Sequence, residues 1–148
     1  MAPLSLTLPG TWRLLSRIDL TAAGEPIEDP TLGSDPVALL VYDRAGHFAA
    51  QFMKRDRSAA PAPTAAPSDA RNNTQAQGGY DAYFGTYSVN DATGEVTQKL
   101  DGSLTAANVG MQLTRAMTVT GDRLVIALAT NAHDGTPVTR TLTRERVG

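Results

Sequence analysis

Arg115 is the residue of this chain whose position most strongly indicates chemistry. By period-2 alternation it shares a strand face with Leu113 and Met117, which are apolar. A guanidinium on such a face has to be paired or strongly hydrogen-bonded. One interpretation is structural, in which Arg115 packs against Trp12 or caps backbone carbonyls. In the other interpretation, Arg115 anchors a carboxylate or carbonyl group of a bound molecule.

Tyrosine and amide side chains supply further hydrogen-bonding groups. Tyr83 and Tyr87 lie on one face of one strand, roughly 13 Å apart, and Gln98 lies on the face of Val96 and Leu100. Tyrosines give apolar walls with a polar tip, which suits a pocket for a flat or polycyclic molecule, although core packing explains them equally well. An inward amide requires a partner. We therefore predict a set of ligand-binding residues: Tyr42, Phe52, Tyr83, Tyr87, Gln98, Met111, Arg115 and Met117.

The spacings that other kinds of site require are missing. The chain has no cysteine, which excludes a thiol nucleophile, a disulfide and a thiolate metal site. Its two histidines, His47 and His133, fall in turn sequences and form no His-x-His or His-Glu-x-x-His motif. A Gly-x-Ser-x-Gly elbow, a P-loop and a Gly-x-Gly-x-x-Gly loop are also missing. We expect no metal, no cofactor and no residue tuned to titrate near pH 7.

Composition points to one soluble domain covering residues 1–148. Hydrophobic residues make up 41% and charged residues 19% of the 148 residues, and the formal net charge is -2. The basic residues are scattered, so we expect no nucleic-acid partner. No apolar stretch of about 18 residues exists, and the start of the chain is not that of a signal peptide. We expect a cytoplasmic protein with no membrane partner, present as a monomer or homodimer.

Short strands and turns must position these residues. The first strand, 10–19, is followed by apolar or alternating segments at 37–42, 47–53, 80–89, 95–101, 109–120, 124–128 and 137–147. Gly85 inside the fourth strand is typical of a bend in a barrel wall. In the first strand, alternation places Trp12, Leu14 and Ile18 on the core face and Arg13, Arg17 and Asp19 on the other face.

Eight strands in sequence order predict an all-β, eight-stranded antiparallel up-and-down barrel. A β-sandwich is the alternative. An Ala/Pro-rich insert at 59–79 precedes the fourth strand, and its end, 68–77, is predicted to form a short helix before Gly78 and Gly79. We expect this insert to be a flexible lid over the open mouth of the barrel.

Several strings resemble the bacterial and fungal lipocalin-like domain family. They are Gly10-Thr-Trp-Arg-Leu-Leu-Ser16, Leu40-Val-Tyr-Asp-Arg-Ala-Gly46, Tyr83-Phe-Gly-Thr-Tyr87, Arg115 and Leu142-Thr-Arg144. The resemblance implies one barrel with a central cavity, in which Trp12 plugs the closed end and an arginine covers it. That arginine is Arg115, or it is Arg140 or Arg144, which would leave Arg115 for the cavity. Relatives commonly have a histidine in the strand that here contains Gln98, and an amide cannot replace it in acid–base catalysis.

Two functions from different classes stay open. The first is a binding module that holds a small hydrophobic molecule in the central cavity. The alternative is a cofactor-independent cyclase or isomerase that folds a polyketide- or terpenoid-type substrate in the same cavity. The resemblance supports both, because some relatives accompany enzymes of secondary metabolism. A third possibility is a barrel that is packed solid and serves as an interaction surface.

Overall fold

A computed structural model describes residues 2–57, 72–74, 76–132 and 134–148. A one-turn helix, α1 (Leu4–Thr7), precedes the strands, and a 3-10 turn (Ala106–Asn108) follows the sixth strand. The strands are β1 (Gly10–Thr21), β2 (Pro26–Ile27), β3 (Val37–Tyr42), β4 (His47–Met53), β5 (Tyr80–Asn90), β6 (Glu95–Ser103), β7 (Gln112–Thr120), β8 (Arg123–Asn131) and β9 (Pro137–Arg146).

Eight of the nine strands in the described residues form one closed antiparallel barrel. Consecutive strands pair from β3 to β9, and β1 closes the barrel by pairing with both β3 and β9. The predicted all-β, eight-stranded up-and-down barrel is confirmed, and the sandwich alternative is wrong. The two-residue strand β2 pairs only with the end of β1, in a segment predicted to be a loop. Most of the predicted lid and helix at 59–79 lies outside the described residues.

Trp12 closes one end of the barrel, together with α1. The indole is fully buried, and its Nε1 donates a hydrogen bond to the carbonyl of Leu8 (2.9 Å). Arg146 lies opposite Trp12 in the β1–β9 register and covers the ring at 4.3 Å from the centroid. Trp12 is therefore the expected plug. The covering arginine is Arg146, and the expectation of Arg115, Arg140 or Arg144 was wrong, because the pairing register of β1 with β9 places Arg146 opposite Trp12.

The alternation of β1 reverses at a β-bulge. Pairing with β9 shifts register between Leu14 and Ser16, so that Leu15 is an extra residue in β1. Each later side chain therefore faces the opposite side from the one predicted. The predicted faces were wrong beyond the bulge, since Arg17 and Asp19 point into the barrel and Ile18, 49% exposed, points out.

Gly85 lies where β5 bends against β6. The pairing shifts register between Phe84 and Gly85, and a Cβ at Gly85 would overlap the backbone oxygen of Lys99. The expected bend is thus present, and only glycine fits it. The remaining barrel strands alternate between buried and exposed residues, although Val37, Leu39 and Val125 are apolar residues on the outer face. The fully buried apolar side chains of this core are Leu8, Trp12, Tyr42, Val96, Leu100, Leu113 and Leu124.

Candidate functional site

A cavity opens at the end of the barrel opposite Trp12. It is open to solvent on one side, and both apolar and polar side chains line it. Glu28, Asp29 and Leu32, from the segment between β2 and β3, lie at the mouth together with Asn73, Thr74 and Ala132. The possibility of a solidly packed barrel is therefore wrong. The apolar part of the wall consists of Leu40, Phe52, Met117, Ile126, Leu128 and Leu142.

Tyr42 and Gln98 form a hydrogen-bonded pair in the wall of this cavity. The amide Nε2 of Gln98 donates to the Tyr42 hydroxyl (2.7 Å), and that hydroxyl donates in turn to the sulfur of Met117 (3.8 Å). All three side chains are buried. Burial raises the pKa of Tyr42 far above its usual range, so the hydroxyl stays protonated. Tyr42 can therefore act as a neutral hydrogen-bonding group but not as a base.

Arg144 lies deep in the barrel without the partners that a guanidinium normally has. Its side chain is 1% exposed, and its Nε and Nη1 have no hydrogen-bond partner among the described residues. The guanidinium lies over the ring of Phe52, 5.3 Å from the centroid. Burial lowers the pKa of Arg144 to about 10, although the hydroxyls of Tyr42 and Tyr83 oppose the shift. Arg144 is still charged at neutral pH.

Arg115 is the second buried guanidinium of the cavity. Its Nη1 donates to the carbonyl of the preceding residue, Thr114 (3.2 Å). Burial lowers its pKa, and the nearby Tyr83 hydroxyl opposes this shift. Within the described part of the chain, neither Arg115 nor Arg144 forms an ion pair with a carboxylate. The inner cavity therefore contains two uncompensated positive charges.

Two further arginines at the mouth are paired. Arg140 donates to both carboxylate oxygens of Asp19 (2.8 and 3.0 Å) and to the side-chain oxygen of Asn73 (2.9 Å). Arg17 donates to Asp29 (3.0 Å). These ion pairs join the bulged end of β1 to β9 and to the mouth loops. They compensate their own charges and hold the rim of the cavity together.

Asp81 is a buried carboxyl near the mouth. Its Oδ2 accepts a hydrogen bond from the Thr74 hydroxyl (2.5 Å), whereas Oδ1 has no partner. Burial raises the pKa of Asp81 to about 6, and the Thr74 hydrogen bond opposes the shift. Asp81 was not among the residues predicted from the sequence. Its pKa of about 6 is at odds with the expectation that no residue of the chain titrates near pH 7.

Six of the eight predicted ligand-binding residues line the cavity: Tyr42, Phe52, Tyr83, Gln98, Arg115 and Met117. The other two, Tyr87 and Met111, do not line it. Tyr87 lies four residues after Tyr83 on β5, nearer the closed end of the barrel. Its hydroxyl donates a hydrogen bond to the carbonyl of Asp43 (2.5 Å). Met111 precedes β7 and packs half-buried against the core.

Other cavity residues were not predicted to bind a ligand. Arg140 and Arg144 had a sequence signal, because they alternate with Leu142 and point the same way. Their roles were missed because they were considered only as covers for Trp12. Arg17 and Asp19 had no such signal, since the bulge in β1 hides their direction. Of the histidines, His47 is exposed at the start of β4 and contacts Asp43, and His133 lies outside the described residues.

The described residues contain no group of three His, Asp or Glu side chains placed to hold a metal ion. A separate search of their helices found none long and apolar enough to cross a bilayer.

Fold and cavity together define a class of protein: a closed antiparallel barrel with a Trp plug at one end and an open cavity at the other. The sequence model described as "Lipocalin-like domain" matches residues 9–147. The chain therefore belongs to the lipocalin-like domain family. A search of curated proteins found no match.

Proposed function

We propose that the barrel binds a small, largely hydrophobic molecule in its central cavity. The observation that carries this proposal is the cavity itself, which is open at one end and has both apolar walls and converging polar side chains. Apolar walls supply affinity, and a few polar groups supply orientation.

The polar groups are arranged to orient a ligand. The Tyr42–Gln98 pair is held in place by its own hydrogen bond, so its position does not depend on a ligand. The ion pairs Arg140–Asp19 and Arg17–Asp29 fix the rim through which a ligand enters. A site whose walls are fixed beforehand loses little free energy in ordering itself around a ligand.

The test uses N-phenyl-1-naphthylamine, a neutral probe whose fluorescence rises in apolar surroundings. Ala132 lines the cavity at its mouth, whereas Ala129, on the same β-hairpin, is exposed on the outer face of β8. We expect Ala132→Phe to weaken probe binding about tenfold or more because the new ring fills the mouth. Ala129→Phe is the matched control and should leave the affinity unchanged. Failure of the wild-type protein to bind the probe, or equal binding by both variants, contradicts the proposal.

The sequence-based alternative, a cofactor-independent cyclase or isomerase, remains a second candidate because of Asp81. Its carboxyl has a pKa of about 6 and a free oxygen, so it is suited to proton transfer near neutral pH. The test is cyclisation of a linear poly-β-keto thioester, followed by mass spectrometry. Catalysis that Asp81→Asn abolishes supports the alternative. Cyclisation no faster than in buffer excludes it for this substrate class.

A further inference from the structure

We infer that the inner part of the cavity binds the carboxylate group of an organic acid, with Arg144 and Arg115 as its partners. This inference rests on the proposed binding function and narrows the ligand from an apolar molecule to an apolar molecule with one anionic group.

Arg144 is the first observation. Its guanidinium lines the cavity, is almost completely buried, and leaves the donors Nε and Nη1 without acceptors. Buried donors without a partner are rare in folded proteins because each one costs the free energy of its lost hydration. The contact with the Phe52 ring is a favourable cation–π interaction but supplies no acceptor. An acceptor from a bound molecule would remove this cost.

Arg115 is the second, independent observation. It lies on a different strand, β7, and also lines the cavity, with one hydrogen bond to the carbonyl of Thr114. Arg115 and Arg144 line the same cavity as Tyr42 and Tyr83. An anion bound in this cavity would therefore meet two positive charges that have no carboxylate partner among the described residues.

The charges elsewhere in the cavity explain why the anion belongs inside and not at the rim. Arg17 and Arg140 are already paired, with Asp29 and Asp19 respectively. The mouth also contains the carboxyl groups of Glu28 and Asp81. Carboxyl groups are therefore concentrated at the mouth, whereas Arg115 and Arg144 lie inside without a carboxylate partner among the described residues. A ligand that enters with its anionic group first places its apolar part against the hydrophobic residues nearer the mouth, Ile27, Leu32, Leu128 and Ala132.

A carboxylate fits these donors better than other anions do. Each of its two oxygens can accept a charge-assisted hydrogen bond, so that one carboxylate can take donors from more than one guanidinium edge. A single negative charge on an otherwise apolar molecule also suits walls made of Leu40, Ile126 and Leu142. The predicted ligand class is therefore a monoanionic, largely hydrophobic carboxylic acid.

The test compares 2-naphthoate with 2-naphthamide by isothermal titration calorimetry near neutral pH. The two molecules have nearly the same shape, and only naphthoate is charged. We expect the wild-type protein to bind naphthoate at least about tenfold more tightly, because charge-assisted hydrogen bonds to a guanidinium exceed neutral ones.

Variants then assign the preference to the two arginines. Arg144→Gln and Arg115→Gln each remove one positive charge from the cavity and should bring the two dissociation constants together. Retained binding of naphthamide shows that the cavity of a variant is intact. Arg123→Gln, on the exposed outer face of β8, is the matched control and should keep the full preference.

Equal affinities of the wild-type protein for both molecules overturn the inference and leave the proposed binding function standing. A preference that survives both Arg144→Gln and Arg115→Gln also overturns it. If neither molecule binds and N-phenyl-1-naphthylamine does not bind either, the proposed function fails, and the inference fails with it.

Discussion

Arg146 covers the indole of Trp12, with its guanidinium carbon 4.3 Å from the ring centroid, and ties the N-terminal segment to the barrel. Its Nη1 and Nη2 donate to the carbonyls of Pro9 (3.0 Å) and Thr7 (2.7 Å), while Trp12 donates to the carbonyl of Leu8. One side chain therefore stacks on the plug and also satisfies backbone acceptors of the segment that carries α1.

We expect Arg146→Ala to lower the free energy of unfolding by about 2 kcal/mol, from the lost cation–π contact and hydrogen bonds. Arg146→Lys should recover less than half of this loss, because one ammonium cannot stack and reach both carbonyls as the planar guanidinium does. Urea unfolding measures both variants. Wild-type stability in Arg146→Lys would show that only the charge matters.

Gly10 is required by the same closure. It has φ +145°, and a Cβ there would lie 2.5 Å from Nη1 of Arg146. We expect Gly10→Ala to cost about 2 kcal/mol or more, from backbone strain and from this overlap. Gly24→Ala, with φ +82° and no neighbouring atom within 4 Å, is the control for backbone strain alone and should cost less.

The overlap at Gly10 can be separated from the strain by a second substitution. In an Arg146→Ala background the clashing atom is gone, so Gly10→Ala should cost less than it does in the wild-type background. An unchanged cost in that background would mean that Arg146 is not what excludes a side chain at position 10.

Alternation along the strands predicts most of the barrel wall. Gln98 and Arg115 lie on regular stretches of β6 and β7, and both point into the barrel as their spacing predicts. Prediction failed at β1, because an extra residue at Leu15 changes the face of every later side chain and leaves no distinct pattern in the sequence. In the sequence pattern, Ile18 therefore resembles a core residue although it points outward. Asp19 resembles a surface residue although it points into the barrel.

The ion pairs of the cavity depend on closure of the barrel, which no local pattern contains. Asp19 and Arg140 are 121 positions apart in the chain and meet only because β1 pairs with β9. Likewise, the absence of hydrogen-bond partners at Arg144 is a property of the assembled interior. Spacing in the sequence predicts the direction in which a side chain points. Its partners on distant strands are determined by the pairing register between those strands.

The buried pair of Asp19 and Arg140 should contribute strongly to stability. We expect Arg140→Gln alone to cost about 3–5 kcal/mol, because Asp19 is left as a buried charge without its partner. The double variant Asp19→Asn/Arg140→Gln should cost less than the sum of the single variants. Urea unfolding of the full cycle gives the coupling energy.

The exposed ion pair of Arg55 with Asp35 is the matched comparison for this cycle. Its coupling energy should be below about 1 kcal/mol, as is usual for solvated pairs. Equal coupling energies for the two cycles would contradict the structural role assigned to the pair at the mouth.

Asp81 and Asp29 should affect stability in opposite pH windows. Burial raises the pKa of Asp81 from 3.8 to about 6, so the folded protein binds its proton more tightly than the unfolded chain does. The contribution of Asp81 to the free energy of unfolding is therefore greatest below about pH 4 and is lost as the pH rises through about 6. The total loss is about 3 kcal/mol at most. Relative to the wild type, Asp81→Asn should gain stability across this window. The measurement is urea unfolding at a series of pH values.

Asp29 gives the reverse dependence. Burial alone would raise its pKa, but Arg17 and the Thr31 hydrogen bonds outweigh burial and lower it below 3.8. Its contribution is present above about pH 4 and is lost as the pH falls through the lower folded value. Asp29→Asn should therefore be destabilising near neutral pH, and the difference from wild type should shrink in acid. Parallel pH profiles for the two variants would contradict these assignments.

Arg144 and Arg140 lie four positions apart on β9 and point into the same cavity. Substitution by methionine should have opposite effects on the free energy of unfolding at these two positions. Arg140→Met separates an ion pair and should be destabilising. Arg144→Met removes a charge whose pKa burial lowers to about 10 and keeps an apolar chain against Phe52, so it should raise the free energy of unfolding by about 1–3 kcal/mol. Urea unfolding without ligand measures both. A loss of stability in Arg144→Met as large as that in Arg140→Met would mean that Arg144 is a structural residue whose partners lie within the protein.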